Sequence, residues 1–150
     1  MYDIVEYDKQ KTKVLKYIMY KKRTEQEIKQ KFFSSIDEYM LEDIIEELKQ
    51  KQYVNDDNYI QRAVNEMMAL QKLSKKELRY KLMSKGLDTN RIETYFSKIQ
   101  EELDEYELDS AKKIAIKKLS LMEEEEVIQF LLKKGYEMDS IKNALSEVNE

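Results

Sequence analysis

"KLMSKGL" (81–87) and "FLLKKGY" (130–136) contain the only two glycines of a 150-residue chain that has no proline. In both, two apolar residues, a spacer and a lysine precede the glycine, and Gly86 and Gly135 stand 49 positions apart. Leu82 and Leu78 lie four and eight residues before Gly86, as Leu131 and Val127 lie before Gly135. Ile92, Phe96 and Ile99 follow the first glycine at the spacing at which Ile141, Leu145 and Val148 follow the second. Steps of three and four residues place each set on one face of a helix. The pattern predicts helix, glycine turn, helix, twice over. A chain that leaves a helix through a left-handed residue favours glycine at C′, and Lys85 and Lys134 suit the negative end of the helix dipole.

One period further back stand Ile28 and Phe32, then Leu41, Ile45 and Leu48. Similarity at this period signals stacked units, each too small to bury its own core well. "TEQE" (24–27), "SKKE" (74–77) and "SLME" (120–123) each fit a capping box, with Ser or Thr at the N-cap and Glu at N3. The first unit reads "FFSSIDEYM" (32–40) and has no glycine, so a different turn is expected there, with Ser35 and Glu38 as a further capping box. An amphipathic basic helix is expected to open each unit, at 8–22, 56–72 and 110–119. The fold expected is all-α: three tandem three-helix, helix-turn-helix-like repeats at 1–54, 55–108 and 109–150. Helices of about 12 residues are about 18 Å long, so the molecule should be elongated and curved.

Composition agrees with this. Charged residues make up 39% and mean hydropathy is -0.78, yet 41% of residues are hydrophobic and 11 are Tyr. That is enough apolar surface to fold. Lys, Glu, Leu, Met and Gln favour helix, and its usual breakers are almost absent.

The net charge of -4 conceals segregation. Segment 9–23 has seven basic residues and no acid, 72–85 has six basic residues against Glu77 alone, and 112–118 has four lysines. Segments 37–47 and 101–109 have six acids each and no base. Each unit thus reads as a basic first helix and an acidic third one, except that the last carries its acids at Glu123, Glu124, Glu125 and Glu126. In-register stacking would align the basic helices into one stripe. A charge run taken singly is more often a solvated face, and recurrence with the repeat is what favours a surface for binding.

Several chemistries are excluded. There is no His and no Cys, which removes Ser-His and Cys-His nucleophiles, sulfur-ligated metals, disulfides and the usual zinc sets. No phosphate-cradling glycine motif occurs. Consecutive carboxylates at 123–126 diverge on a helix and suit its first turn rather than a metal. "VNDDNY" (54–59) lacks the glycine and terminal Glu of a calcium loop, and Asn55 capping a helix with Asp56 and Asp57 in its first turn explains it better. Neither an enzyme nor a cofactor is expected. Tyr53, Tyr59 and Tyr95 are expected in or beside the core, as is Tyr17, whereas Tyr20 accompanies cations and could stack on bases. "MYDIVEYDKQ" (1–10) lacks the apolar core of a signal peptide, and no run approaches membrane-spanning length. A soluble cytoplasmic protein without membrane contact is expected.

"VLKYIMYKKRTEQEIKQKF" (14–32), "IIEELKQKQYVNDDNYIQRAV" (44–64), "LSKKELRYKLMSKGL" (73–87) and "VIQFLLKKGYEMDSIKNAL" (127–145) resemble the RecX family of regulators of the RecA recombinase. The most specific part is an ordered series: Arg23 with Glu27, the junction from Tyr53 to Tyr59, then two Lys-Gly turns. The resemblance implies three tandem three-helix units and no catalysis. It also implies binding in the helical groove of the RecA–DNA filament, with inhibition of strand exchange and ATP hydrolysis.

Physical blocking is the mechanism that both readings suggest, with several weak contacts along a curved rod acting together. The contacts expected to acidic filament surface or DNA phosphate are Lys21, Lys22, Arg23, Lys72, Lys75, Lys76, Arg79, Lys117 and Lys118. RecA filament is the expected partner, DNA (single-stranded or duplex) a second one through the basic helices, and the chain is expected to be a monomer. The alternatives are an autonomous helix-turn-helix DNA-binding protein and a helical-repeat scaffold for another partner.

Overall fold

A computed structural model describes residues 3–150, so the first two residues of the expected unit 1–54 lie outside it. Among the described residues there are nine helices and no strand: α1 (Ile4–Tyr20), α2 (Glu25–Phe32), α3 (Glu38–Gln50), α4 (Asp56–Leu70), α5 (Lys75–Ser84), α6 (Thr89–Lys98), α7 (Gln100–Leu119), α8 (Glu124–Lys134) and α9 (Met138–Val148). The all-α expectation holds.

The buried apolar residues fall into three clusters. Val14, Ile18, Ile28, Phe32, Ile44, Ile45 and Leu48 join α1, α2 and α3. Ile60, Val64, Leu78, Leu82, Ile92 and Phe96 join α4, α5 and α6, with Leu103 and Tyr106 of α7 added. Ala111, Ala115, Val127, Leu131, Tyr136, Ile141 and Leu145 join α7, α8 and α9. Total accessible surface is 9956 Å² for an 18.1 kDa chain, against about 8,100 Å² for a compact monomer of that mass. Three small cores in series leave more surface outside than one large core.

Both glycines have positive φ, 79° at Gly86 and 96° at Gly135. Gly86 N–H donates to the Met83 carbonyl and Gly135 N–H to that of Leu132. The first unit makes its turn differently: Ile36 N–H returns to the Phe32 carbonyl and no left-handed residue is used.

Two of the four expected capping boxes form, with Thr24 and Glu27 on α2 and Ser74 and Glu77 on α5. The one expected at Ser120 does not. Ser120 is the C-cap of α7, and α8 starts three residues later with Glu123 at its N-cap. The glycine register explains this, because 49 residues beyond Ser74 is Glu123, four residues before Val127 as Ser74 is before Leu78. Nor does Ser35 cap α3: Asp37 does, accepting from the amides of Tyr39 and Met40. Asn55 caps α4 as expected, accepting from the Asn58 amide.

The charge pattern is also redistributed. The helix expected to carry Ile92, Phe96 and Ile99 on one face stops at Ile99, which ends α6 and starts α7. The acidic run 101–109 therefore lies on α7, the same helix as the basic run 112–118, and the expected boundary at 108/109 falls inside that continuous helix. α4 carries Arg62 against Asp56, Asp57 and Glu66, so it is not a basic helix. A basic first helix and an acidic third helix describe α1 and α3 but not the second unit.

Candidate functional site

The glycines are placed by contacts between units as well as by their own turns. Thr24 Oγ1, at the start of α2, accepts from the Glu27 amide and donates to the Lys85 carbonyl at 2.8 Å. Ser74 Oγ, at the start of α5, accepts from the Glu77 amide and donates to the Lys134 carbonyl at 2.7 Å. Each acceptor immediately precedes a glycine. A Cβ on Gly86 would lie 2.4 Å from Gln26 Cβ, and one on Gly135 would lie 2.9 Å from Lys76 Cβ. The N-terminus of α2 thus abuts the C-terminus of α5, and the N-terminus of α5 abuts the C-terminus of α8. Opposite helix-dipole ends meet at each joint.

The joints repeat in further detail. The Glu25 amide donates to Asp56 Oδ1, and the Lys75 amide donates to Glu107 Oε1, both at 3.1 Å. Lys85 pairs with Glu27 at 3.7 Å, and Lys134 with Glu77 at 3.3 Å. Thr24, Ser74 and Glu107 are fully buried. Glu107 also accepts from Ser140 Oγ. Desolvation pushes the Asp56 carboxyl above its ordinary value despite the Glu25 amide it accepts from.

One concavity lies beside the first joint. It measures about 550 Å³ and is lined by Lys21, Lys22 and Arg23 of the α1–α2 connector, Gln52, Tyr53 and Asn55 of the α3–α4 turn, and Asn58, Tyr59 and Arg62 of α4. Among the described residues none of its four cations takes part in a salt bridge of 4.0 Å or less. The Arg23 guanidinium lies 4.1 Å from the centre of the Tyr17 ring, which itself meets Phe32 edge-on. Arg23 Nε is buried and has no hydrogen-bond partner. Tyr53, expected in or beside the core, is 44% exposed at this cleft. Burial raises the Tyr59 hydroxyl above its ordinary pKa.

The other expected contact residues are not gathered there. Lys75 is largely buried between Asp104, at 2.6 Å, and Glu137, at 3.0 Å. Arg79 pairs with Glu93 at 2.6 Å. Lys118 lies 4.6 Å over the Phe130 ring, and Lys76 packs at the second joint. Lys72 and Lys117 are exposed. Of the nine expected residues the structure brings Lys21, Lys22 and Arg23 together and adds Arg62, a lone cation on α4 that belongs to no charge run. Among the described residues no group of three or more His, Cys, Asp or Glu is placed to hold a metal. No described helix is long and apolar enough to cross a membrane.

No family model matches the chain. Relatives and solved structures do. Regulatory protein RecX of Staphylococcus haemolyticus strain JCSC1435 is 31% identical over 139 residues, covering 90% of this chain and 52% of that protein. Regulatory protein RecX of Clostridioides difficile strain 630 is 28% identical over 149 residues, covering 95% of this chain and 69% of that protein. The chain spans about half the length of the staphylococcal relative. The crystal structure of RecX from Lactobacillus salivarius superposes with a TM-score of 0.80 at 28% identity, covering 95% of this chain and 96% of that one. A second crystal structure of a regulatory protein RecX also gives 0.80, at 25% identity, covering 93% of this chain and 73% of that one.

Proposed function

We propose, on the premise that this chain belongs to the RecX family, that it regulates homologous recombination and the SOS response by lying in the groove of the RecA–DNA filament. There it inhibits RecA ATP hydrolysis and strand exchange without catalysing a reaction of its own. It needs no cofactor and acts as a monomer in the cytoplasm.

The observation that carries this reading is the repeated joint. Units 1–54, 55–108 and 109–150, the last two sharing α7, are docked by the same bonds at Thr24 and Lys85 and at Ser74 and Lys134. A one-dimensional array of similar units suits a partner that is itself a repeating polymer. Contacts too weak to hold singly act together once the array is anchored, because each later contact forms at high effective concentration. An elongated, curved array spanning several protomers blocks the groove through which a second DNA must pass. Lys21, Lys22, Arg23, Lys72, Lys76, Lys117 and Lys118 are the candidate contacts, whereas Lys75 and Arg79 serve the fold first through their ion pairs.

An autonomous helix-turn-helix protein would present the later helix of a unit to duplex DNA. α3 carries Glu38, Glu42, Asp43, Glu46 and Glu47, which phosphates repel, and Arg91 of α6 is tied to Asp57 at 2.9 Å. Retention on immobilised RecA assembled on single-stranded DNA tests the filament reading. The chain should be retained there and should pass over DNA-free, unassembled RecA; equal retention on both would refute groove binding.

A further inference from the structure

We infer that the cleft beside the first joint is a nucleotide subsite for single-stranded nucleic acid, in which Lys21, Lys22, Arg23 and Arg62 hold the phosphate and Tyr53 stacks on a base. This deepens the filament reading by assigning one surface to the nucleic acid rather than to protein.

Like charges gathered without counterions repel one another, and this cleft sets four cations against the single carboxylate of Glu66. Elsewhere Lys11, Lys49, Lys112 and Lys134 each have a carboxylate partner. The buried Arg23 Nε, without a partner, is a donor that the fold leaves unused. A guanidinium already stacked on Tyr17 loses little freedom when it grips a phosphate.

Comparison with the second joint shows why this cleft is open. Fifty residues beyond Arg23 stands Leu73, and the bonds at Asp56 and Glu107 make Tyr106 the counterpart of Asn55. The Tyr106 hydroxyl donates to the Leu73 carbonyl and accepts from the Leu73 amide, closing that joint. At the first joint the shorter Asn55 does not bridge, and the space it leaves carries charge. A solvated basic face would not require this local exchange of a closing Tyr for an open cleft.

The chemistry favours nucleotide over acidic peptide. About 550 Å³ accommodates a phosphate with its base, and a 44% exposed Tyr ring offers a flat platform that carboxylate side chains cannot use. A base within a duplex is already stacked on its neighbours, so the platform selects unpaired strand.

The test is anisotropy of a labelled 15-nucleotide oligo-dT with the whole chain, without RecA, at low salt. Arg62→Gln and Tyr53→Ala change exposed side chains, and circular dichroism checks that each variant folds. Each should weaken binding about tenfold, and Arg62→Gln should also reduce the salt slope by about one. Wild-type affinity in both folded variants, equal affinity for a hairpin duplex, or displacement of the oligonucleotide by polyglutamate at equal charge would overturn the inference. Each variant is also assayed for inhibition of RecA ATPase. Absent oligonucleotide binding by the wild type with inhibition intact would remove the subsite and leave the filament reading standing; the expected result is that both variants bind about tenfold more weakly and inhibit less.

Discussion

The Ser74 hydroxyl donates a 2.7 Å hydrogen bond to the Lys134 carbonyl, sixty residues away. The same oxygen accepts from the Glu77 amide, so one buried atom both caps α5 and fastens it to α8. Removing it should strand an amide and a carbonyl inside the joint. Ser74→Ala is expected to destabilise the chain by about 2 kcal/mol in urea denaturation, and Thr24→Ala by a similar amount. Thr24→Ser, which keeps the hydroxyl, should cost less than half as much.

Gly86→Ala and Gly135→Ala should each destabilise by about 1–3 kcal/mol, since each combines a left-handed backbone with a blocked Cβ position. The nearer obstruction, Gln26 Cβ at 2.4 Å, makes Gly86→Ala the more damaging. Ser84→Ala, on the exposed face of the same helix, should shift the midpoint little. Chemical denaturation of the three variants side by side checks both the sign and the order.

Glu107 lies fully buried, accepts from the Lys75 amide and Ser140 Oγ, and faces the Lys75 side chain electrostatically. Glu107→Ala should cost about 2–4 kcal/mol, because it leaves the Lys75 amide and the Ser140 hydroxyl without their buried acceptor, while Lys75 Nζ keeps Asp104 and Glu137. Glu107→Gln keeps the shape and one acceptor and should recover part of that loss. Equal destabilisation by both would show that packing, not charge, holds the second joint.

The hydrogen bond from Lys11, aided by those from Tyr7 and Lys51, holds the Glu47 carboxyl at about 2, below its ordinary 4.5. A carboxyl lowered in the folded state stabilises it above the unfolded value and ceases to do so as pH falls through the folded one. The stability difference between wild type and Glu47→Gln should therefore be constant from pH 7 to about pH 5. It should shrink as pH falls from 4.5 towards 2. Denaturation midpoints of both proteins across that range measure it, and a difference that widens on acidification would reverse the assignment.

Local patterns were legible in the chain, and contacts between units were not. Leu78 with Leu82 and Val127 with Leu131 announce helix faces because their partners lie within a turn or two. The left-handed glycines were legible for the same reason. That Gly86 also makes room for Gln26 depends on residues sixty positions away, which periodicity does not report. Ser120 misled because Ser-x-x-Glu fits a capping box wherever it falls, while the register placed the cap at Glu123. Ile99 breaks α6 from α7 without Gly or Pro to mark it, so the acidic run 101–109, expected on the third helix of the second unit, lies on α7. At the candidate site the run Lys21, Lys22, Arg23 stood out as charge, but Arg62 and Tyr53 join it only through folding. Lys75 and Arg79 looked equally available until their carboxylate partners were placed.

The most direct measurement is the ATPase rate of RecA on single-stranded DNA, titrated with the intact chain. If this molecule occupies the filament groove, the rate should fall in a saturable way to a low residual value as the chain is added. A rate unchanged at saturating chain would contradict the account.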